Sequence, residues 1–367
     1  MFVTPNVRTQ GPAATDPLAT RRARVRGSIE TTLLGGLAVA LWCGVVIADR
    51  AGVTFRVDGW LFWSCSFVGG AHFAMSYRLA YHGRARALRS HPIALVVGPA
   101  MMICGLLVAL ATAAAGMTGA VSALRIGVAA VFGLTMWHYV KQVFGVVKLV
   151  GRFTGFELSP RESTAVRYGL YPLWFISLVQ LVATQGVPVI DTFGLSGDLL
   201  ATTMFGIRPV AVTVTIVTLT LAFLSAARRN ARVPPAALVM PCAASLMWLG
   251  WTPNLAVTVV LLPAMHALQY LVLCERAMGG LLADRPGAPI ASTAQHRQVA
   301  QILAAAGCMG LLATSFLPGV LDSFAGVPGQ PGLWLLAIFV FLNLHHYLID
   351  ATVWRGRGEL VQTVLAS

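Results

Sequence analysis

Charge is scarce in this chain. Asp, Glu, Lys and Arg make up 11% of its 367 residues, against 57% hydrophobic residues. That balance excludes an ordinary soluble domain and describes a polytopic membrane protein. Acid is scarcer still, with 13 Asp and Glu against 26 Lys and Arg. The resulting charge of +13 does not point to nucleic acid, because the basic residues fall in short clusters between apolar runs. Such clusters set the orientation of a membrane protein. Paired cysteine motifs are missing. Cys43, Cys65, Cys104, Cys242, Cys274 and Cys308 all lie within apolar runs and none forms CxxC, which excludes a disulfide framework and a zinc ribbon. The zincin HExxH, the serine-hydrolase GxSxG, the P-loop and the dinucleotide fingerprint are absent in any credible context. So are the HxxxH and HxxHH boxes of membrane di-iron enzymes, since Leu342 stands where a first histidine would be needed.

Long apolar runs are what the sequence does have. A spanning helix needs roughly 20 apolar residues, and ten candidates occur, at 29–48, 60–81, 93–115, 121–148, 168–184, 209–227, 234–251, 254–275, 298–321 and 331–353. Residues 1–27 read as a disordered cytosolic tail, 28–354 as an all-α transmembrane domain and 355–367 as a cytosolic tail. The first apolar run is too long for a signal-peptide core. Basic residues alternate between loops. Arg21, Arg22, Arg24 and Arg26 precede the first span; Arg84, Arg86 and Arg89 follow the second; Lys148, Arg152, Arg161 and Arg167 follow the fourth. The pattern continues through Arg228, Arg229 and Arg232, then Arg276, Arg285 and Arg297, and ends at Arg355 and Arg357. The positive-inside rule then predicts both termini in the cytosol of a multi-pass protein of a cell membrane, a bacterial inner membrane. "SPRES" at 159–163 is a helix-start signal beside Phe153 and Phe156, and predicts a cytosolic interfacial segment. The stretch 185–207 is a longer external loop.

Five of the eight histidines are unexpected in such a chain. His72, His138, His266, His345 and His346 fall inside the second, fourth, eighth and tenth spans. Titratable groups are expensive in hydrocarbon and need partners or a role. His138, His266 and His345 each precede a basic residue by ten positions, about 15 Å of helix. His72 precedes Arg84 by twelve. All five therefore belong to one layer, displaced toward the cytosolic surface. Imidazoles at one depth on four helices predict a metal site, with Asp350 as a ligand or as the acceptor of a ring N–H. Gln142 and Gln269, at i+4 from His138 and i+3 from His266, are expected to orient imidazoles. Lys141, Tyr139 and Tyr347 are the candidate catalytic side chains, placed to position substrate or pass protons. Pro263 should kink the eighth span, and Gly69–Gly70 should let the second approach a neighbour closely. "AHFAMSYRL" and "MHALQYLVL", with "WHYVKQ" and "HHYLID", also hint at a parallel repeat of spans 2–4 and 8–10.

Histidines scattered over several spanning helices resemble the general plan of membrane non-haem iron oxygenases such as the bacterial carotene-cleaving type; no residue is carried over. The residues themselves favour one or two non-haem iron ions, a hydrophobic lipid-like substrate reached through the membrane lipids, and a cytosolic electron donor. Two other readings stay open: haem b held by paired histidines, and a proton- or ion-coupled transporter using the His and Asp groups as a relay.

Overall fold

The structure, a computed structural model, describes residues 25–53, 57–81, 85–185, 197–252, 255–282, 293–327 and 331–354. Both predicted tails lie outside it but for a few residues next to the domain, and so do positions 186–196 of the external loop. Among the described residues the chain is helical, with no β-sheet. Twelve helices are used below: α1 (Val25–Arg50), α2 (Gly59–Ala80), α3 (Ala85–Ser90), α4 (Ile93–Ala114), α5 (Thr118–Phe153), α6 (Pro160–Gly169), α7 (Tyr171–Gln185), α8 (Gly197–Asn230), α9 (Ala236–Gly250), α10 (Leu255–Leu282), α11 (Ala294–Ala325) and α12 (Leu333–Val353). The predicted spans fall on helices, except that 168–184 begins at the end of α6 and continues along α7. Six of these stretches are long and apolar enough to cross a membrane: α1, α4, Phe205–Asn230 of α8, Val257–Met278 of α10, α11 and α12. The chain is in this sense a multi-pass α-helical membrane protein.

The distribution of polarity is inverted relative to a water-soluble bundle. Phe205, Phe324, Trp60 and Met101 stand on the outside, with Phe205 and Phe324 each 87% exposed. His72, Ser76, His266, Gln269, His345 and His346 are buried within. Lipid tails solvate the former, whereas the latter must find partners inside the bundle.

Close helix crossings bring the buried groups together. Gly70 of α2 meets Gly310 of α11 so tightly that a Cβ on Gly310 would lie 2.1 Å from the Gly70 carbonyl carbon and oxygen. The glycine pair noticed in the sequence is therefore a contact with α11. Gly35 of α1 makes a similar approach to the Met240 and Pro241 backbone of α9, where a Cβ would come within 2.5 Å. Pro263 lies inside α10, three residues before His266. The repeat suggested by the sequence is not mirrored in the packing. α2 runs along α11, whereas α10 and α4, its counterparts under that repeat, do not pair in this way.

Among the described residues three helices contain a π-turn, at Thr32–Gly36, Ile93–Val97 and Leu312–Phe316. A π-turn interrupts the i→i−4 ladder and leaves carbonyls seeking donors. Gln269 donates to Leu34 O at 2.7 Å in the first. In the second, His345 Nε2 lies 3.2 Å from Ala94 O and the Tyr81 hydroxyl donates to Leu95 O at 2.8 Å.

On the side predicted to face the cytosol, α6 begins with the capping box foreseen in "SPRES". Ser159 Oγ accepts from the Glu162 N–H, and Glu162 accepts from the Ser159 N–H. Burial pushes the Glu162 carboxyl up. Hydrogen bonds from Arg229, the Ser159 backbone and Ser225 outweigh that and bring it down to about 2. Glu275 and Arg276 are not the helix-end pair their adjacency suggests. Arg276 instead binds both oxygens of Glu30 at 2.8 Å, and Glu275 accepts from Arg26 at 3.2 Å.

Candidate metal centre

Four imidazoles meet where α2, α5, α10 and α12 converge. His72, His138, His266 and His346 each offer a ring nitrogen, and these four atoms all lie within 4.8 Å of one another. His72 Nε2 and His346 Nε2 are 2.8 Å apart, and His346 Nε2 and His138 Nε2 are 3.2 Å apart. The His266 ring lies 4.9 Å from that of His138 and 5.2 Å from that of His72, between centroids. His346 is 1% exposed.

Hydrogen bonding among the rings does not account for this crowding. His346 Nε2 also has Asp350 Oδ2 at 3.4 Å, so it faces three polar atoms. A ring nitrogen carries either one proton or one lone pair, and serves one strong partner. His266 Nε2 is buried without a hydrogen-bonding partner among the described residues, and so are the other ring nitrogens of His72 and His346, their Nδ1 atoms, whose Nε2 atoms face the group. Several lone pairs aimed at one point are what a shared cation resolves. Imidazole nitrogens bound tetrahedrally at about 2.1 Å stand ~3.4 Å apart, inside the range here, from 2.8 Å to no more than 4.8 Å. The residues present thus fit a metal ion by number, donor type and spacing.

His345, expected as a fifth member, stands outside the group. Its Nε2 faces the Ala94 carbonyl, which can only accept, so that nitrogen carries the proton. Its Nδ1 is then the acceptor and takes a hydrogen bond from the Tyr77 hydroxyl at 2.9 Å. Both ring nitrogens are used, and His345 closes the π-turn of α4. One residue along a helix is a turn of ~100°, enough to send adjacent histidines to different work.

Asp350 lies beside the group. Its Oδ2 is 3.4 Å from His346 Nε2 and 3.5 Å from His138 Nε2, and its Oδ1 accepts from the Tyr270 hydroxyl at 3.2 Å. The Tyr270 ring packs edge-on to His72 at 4.3 Å, and Ser76 Oγ is 2.9 Å from the Tyr270 hydroxyl. Tyr270 and Ser76 are not among the candidate site residues named from the sequence. The signal was available, since each stands at i+4 from a histidine of the group, His266 and His72.

The glutamines do not orient imidazoles. Gln142 Nε2 donates to the His266 carbonyl at 2.8 Å, and Gln269 Nε2 to Leu34 O. Gln142 ties α5 to the α10 backbone, and Gln269 ties α10 to the α1 backbone. Tyr139 is buried with its ring 4.2 Å from that of His266, and it does not line the cavity described next. The Tyr347 ring lies 4.8 Å from that of His138, while its hydroxyl bonds Thr135 and donates to Asn343 Oδ1 at 3.3 Å.

A cavity of about 680 Å³ opens between α5 and α12. His138, Asp350 and Tyr270 form its inner end, with Leu134, Phe144, Leu149, Leu273 and Leu344 among its apolar walls. Lys141, Lys148 and Arg152 line it as well. Leu134, Lys141, Arg152 and Ala351 are exposed, so it opens through the side of the bundle. No protein-family model, curated protein or solved structure matches this chain.

Proposed function

We propose that the chain is an integral-membrane, metal-dependent oxidoreductase that acts on a hydrophobic, lipid-like substrate at a non-haem iron centre. The observation that carries this reading is the meeting of four imidazoles from four helices at one end of a mostly apolar cavity. Ten spans, with both termini and the basic loops on the cytosolic side, complete it. The centre then lies toward the cytosolic face, within reach of a cytosolic electron donor.

His72, His138, His266 and His346 would hold the ion, with Asp350 as a further ligand or as a partner to the His138 and His346 rings. A group this compact suits one ion better than two. Bound iron supplies one-electron and oxygen chemistry. The protein's own share is to position and shield. Leucines and Phe144 along the cavity wall keep water from the reacting end and accept an alkyl or isoprenoid chain. Tyr270 and Asp350 share a proton at Oδ1, beside the centre. Lys141, near the Trp137 ring, contributes a positive charge about one turn from His138.

Four imidazoles converge here, whereas a haem takes two axial ligands at most, and this favours a non-haem ion over haem.

Elemental analysis of detergent-purified protein, with a visible spectrum on the same sample, tests the proposal. About one iron per chain without a Soret band is expected, and it should be lost in His346→Ala. A Soret band would transfer the histidines to haem. Metal-free protein, after iron-replete expression and anaerobic handling, would overturn the centre and leave the His–Asp350–Tyr270 set as a proton relay.

A further inference from the structure

Three cations line a cavity that is otherwise mostly apolar, and they are spread along its length. Lys141, Lys148 and Arg152 all belong to α5, at three, ten and fourteen residues beyond His138. On a continuous helix these steps are about 4.5, 15 and 21 Å. Lys148 and Arg152 also obey the positive-inside pattern, which alone asks nothing of their surroundings. Their position does more. Both line the same cavity as His138 and Asp350. Glu157 is near enough for its charge to act on Lys148, but no carboxylate among the described residues forms an ion pair with either cation. The one acid in the cavity lining, Asp350, sits at the opposite end beside the histidines.

We infer that the cavity takes an anionic-headed amphiphile, a long apolar chain ending in a carboxylate or phosphate. The head is held by Lys148 and Arg152, and the chain runs along the leucine-lined wall toward the histidines. The inference rests on the oxidoreductase reading for what happens there, and it adds a substrate class and a place on the substrate. The carbon presented to the centre is roughly 15–20 Å from the head, far along the chain. The side opening through Leu134 and Ala351 lets such a molecule arrive from the bilayer with its head already at interface level. A guanidinium and an ammonium offer charge-assisted hydrogen bonds to either head group, the forked guanidinium to two oxygens at once.

The test is equilibrium binding of radiolabelled palmitate, dodecyl phosphate and hexadecanol to the purified full chain in non-ionic detergent. The same binding is measured on the double variant Lys148→Gln/Arg152→Gln. Palmitate or dodecyl phosphate should bind at least about tenfold more tightly than the uncharged alcohol, and which of the two leads identifies the head group. The double variant should lose that preference while still binding hexadecanol, which shows that the cavity is intact. Equal binding of all three probes, or a preference that survives the double substitution, would overturn the assignment. Metal content is read on the same samples. A charge preference in metal-free protein upholds the amphiphile site while the metal centre falls, and iron without a charge preference does the reverse.

Discussion

Adjacent histidines on α12 do different things, and hydrogen-bond bookkeeping separates them. His345 donates to a carbonyl and accepts from Tyr77, so neither ring nitrogen is left for a ligand. His346 crowds its Nε2 against two other imidazoles and a carboxylate. The expected outcome of His345→Ala is therefore a stability change, not a metal change. It leaves the Ala94 carbonyl and the Tyr77 hydroxyl unpaired in a buried site, at about 1–3 kcal/mol each. Iron per chain should stay at the wild-type value while the thermal midpoint in detergent falls. Paired elemental analysis and melting of the two single alanine variants check this, and metal loss in the His345 variant would return that residue to the centre. His138, His266, His346 and Asp350 were all legible as candidates from depth and spacing. The i, i+4 spacing of His346 and Asp350, with His345 on an apolar face, already favoured His346; what His345 does instead was not legible, because its partner lies on α4, 251 residues away in sequence.

At the scale of elements, glycine decides how near two helices come. A Cβ on Gly310 would overlap the Gly70 backbone at 2.1 Å, and one on Gly70 would meet the Gly310 carbonyl carbon at 2.7 Å. Rigid backbone stands at each contact, so the helices must part. Gly310→Ala should cost about 1–3 kcal/mol or more in stability. Because α2 carries His72 two residues beyond Gly70, iron occupancy should fall with it, although Gly310 touches no imidazole. Melting in detergent with metal analysis would show both effects, and an unchanged iron content would mean that α2 holds His72 in place without α11. Gly70 was flagged by its sequence as a packing residue, but its partner was not. The π-turns escaped the sequence reading altogether. An inserted residue in the ladder leaves no compositional mark, and its freed carbonyls are met by Gln269, His345 and Tyr81 from elsewhere in the chain.

For the whole molecule, the question is which way it faces. The proposed topology puts every basic loop, the α6 capping box and the cavity's Lys148 and Arg152 on one side. Single cysteines introduced at positions 88 and 116, in a background with the six native cysteines replaced, should label oppositely with a membrane-impermeant maleimide on intact cells. Position 88 follows α2 on the side predicted to be cytosolic and should stay unlabelled until the membrane is opened. Position 116, in the α4–α5 turn, should label at once. Labelling of both from outside would break the ten-span count and move the metal centre to the other half of the bilayer.

The sequence by itself determined that this chain is a bundle of apolar helices and that its histidines are out of place in one. Those properties are sums over local composition: hydropathy along about 20 residues, the alternation of arginine between loops, the depth of an imidazole counted from a helix end. Tertiary structure alone decided which four histidines meet and that the two glutamines grip backbone instead of rings. It also decided that Tyr270 joins Asp350, and that three cations of one helix open onto the same cavity as the centre. Each of those depends on the angle at which one helix is turned toward another. That angle is set by contacts such as Gly70 with Gly310 and Gly35 with Met240, between residues more than 200 positions apart.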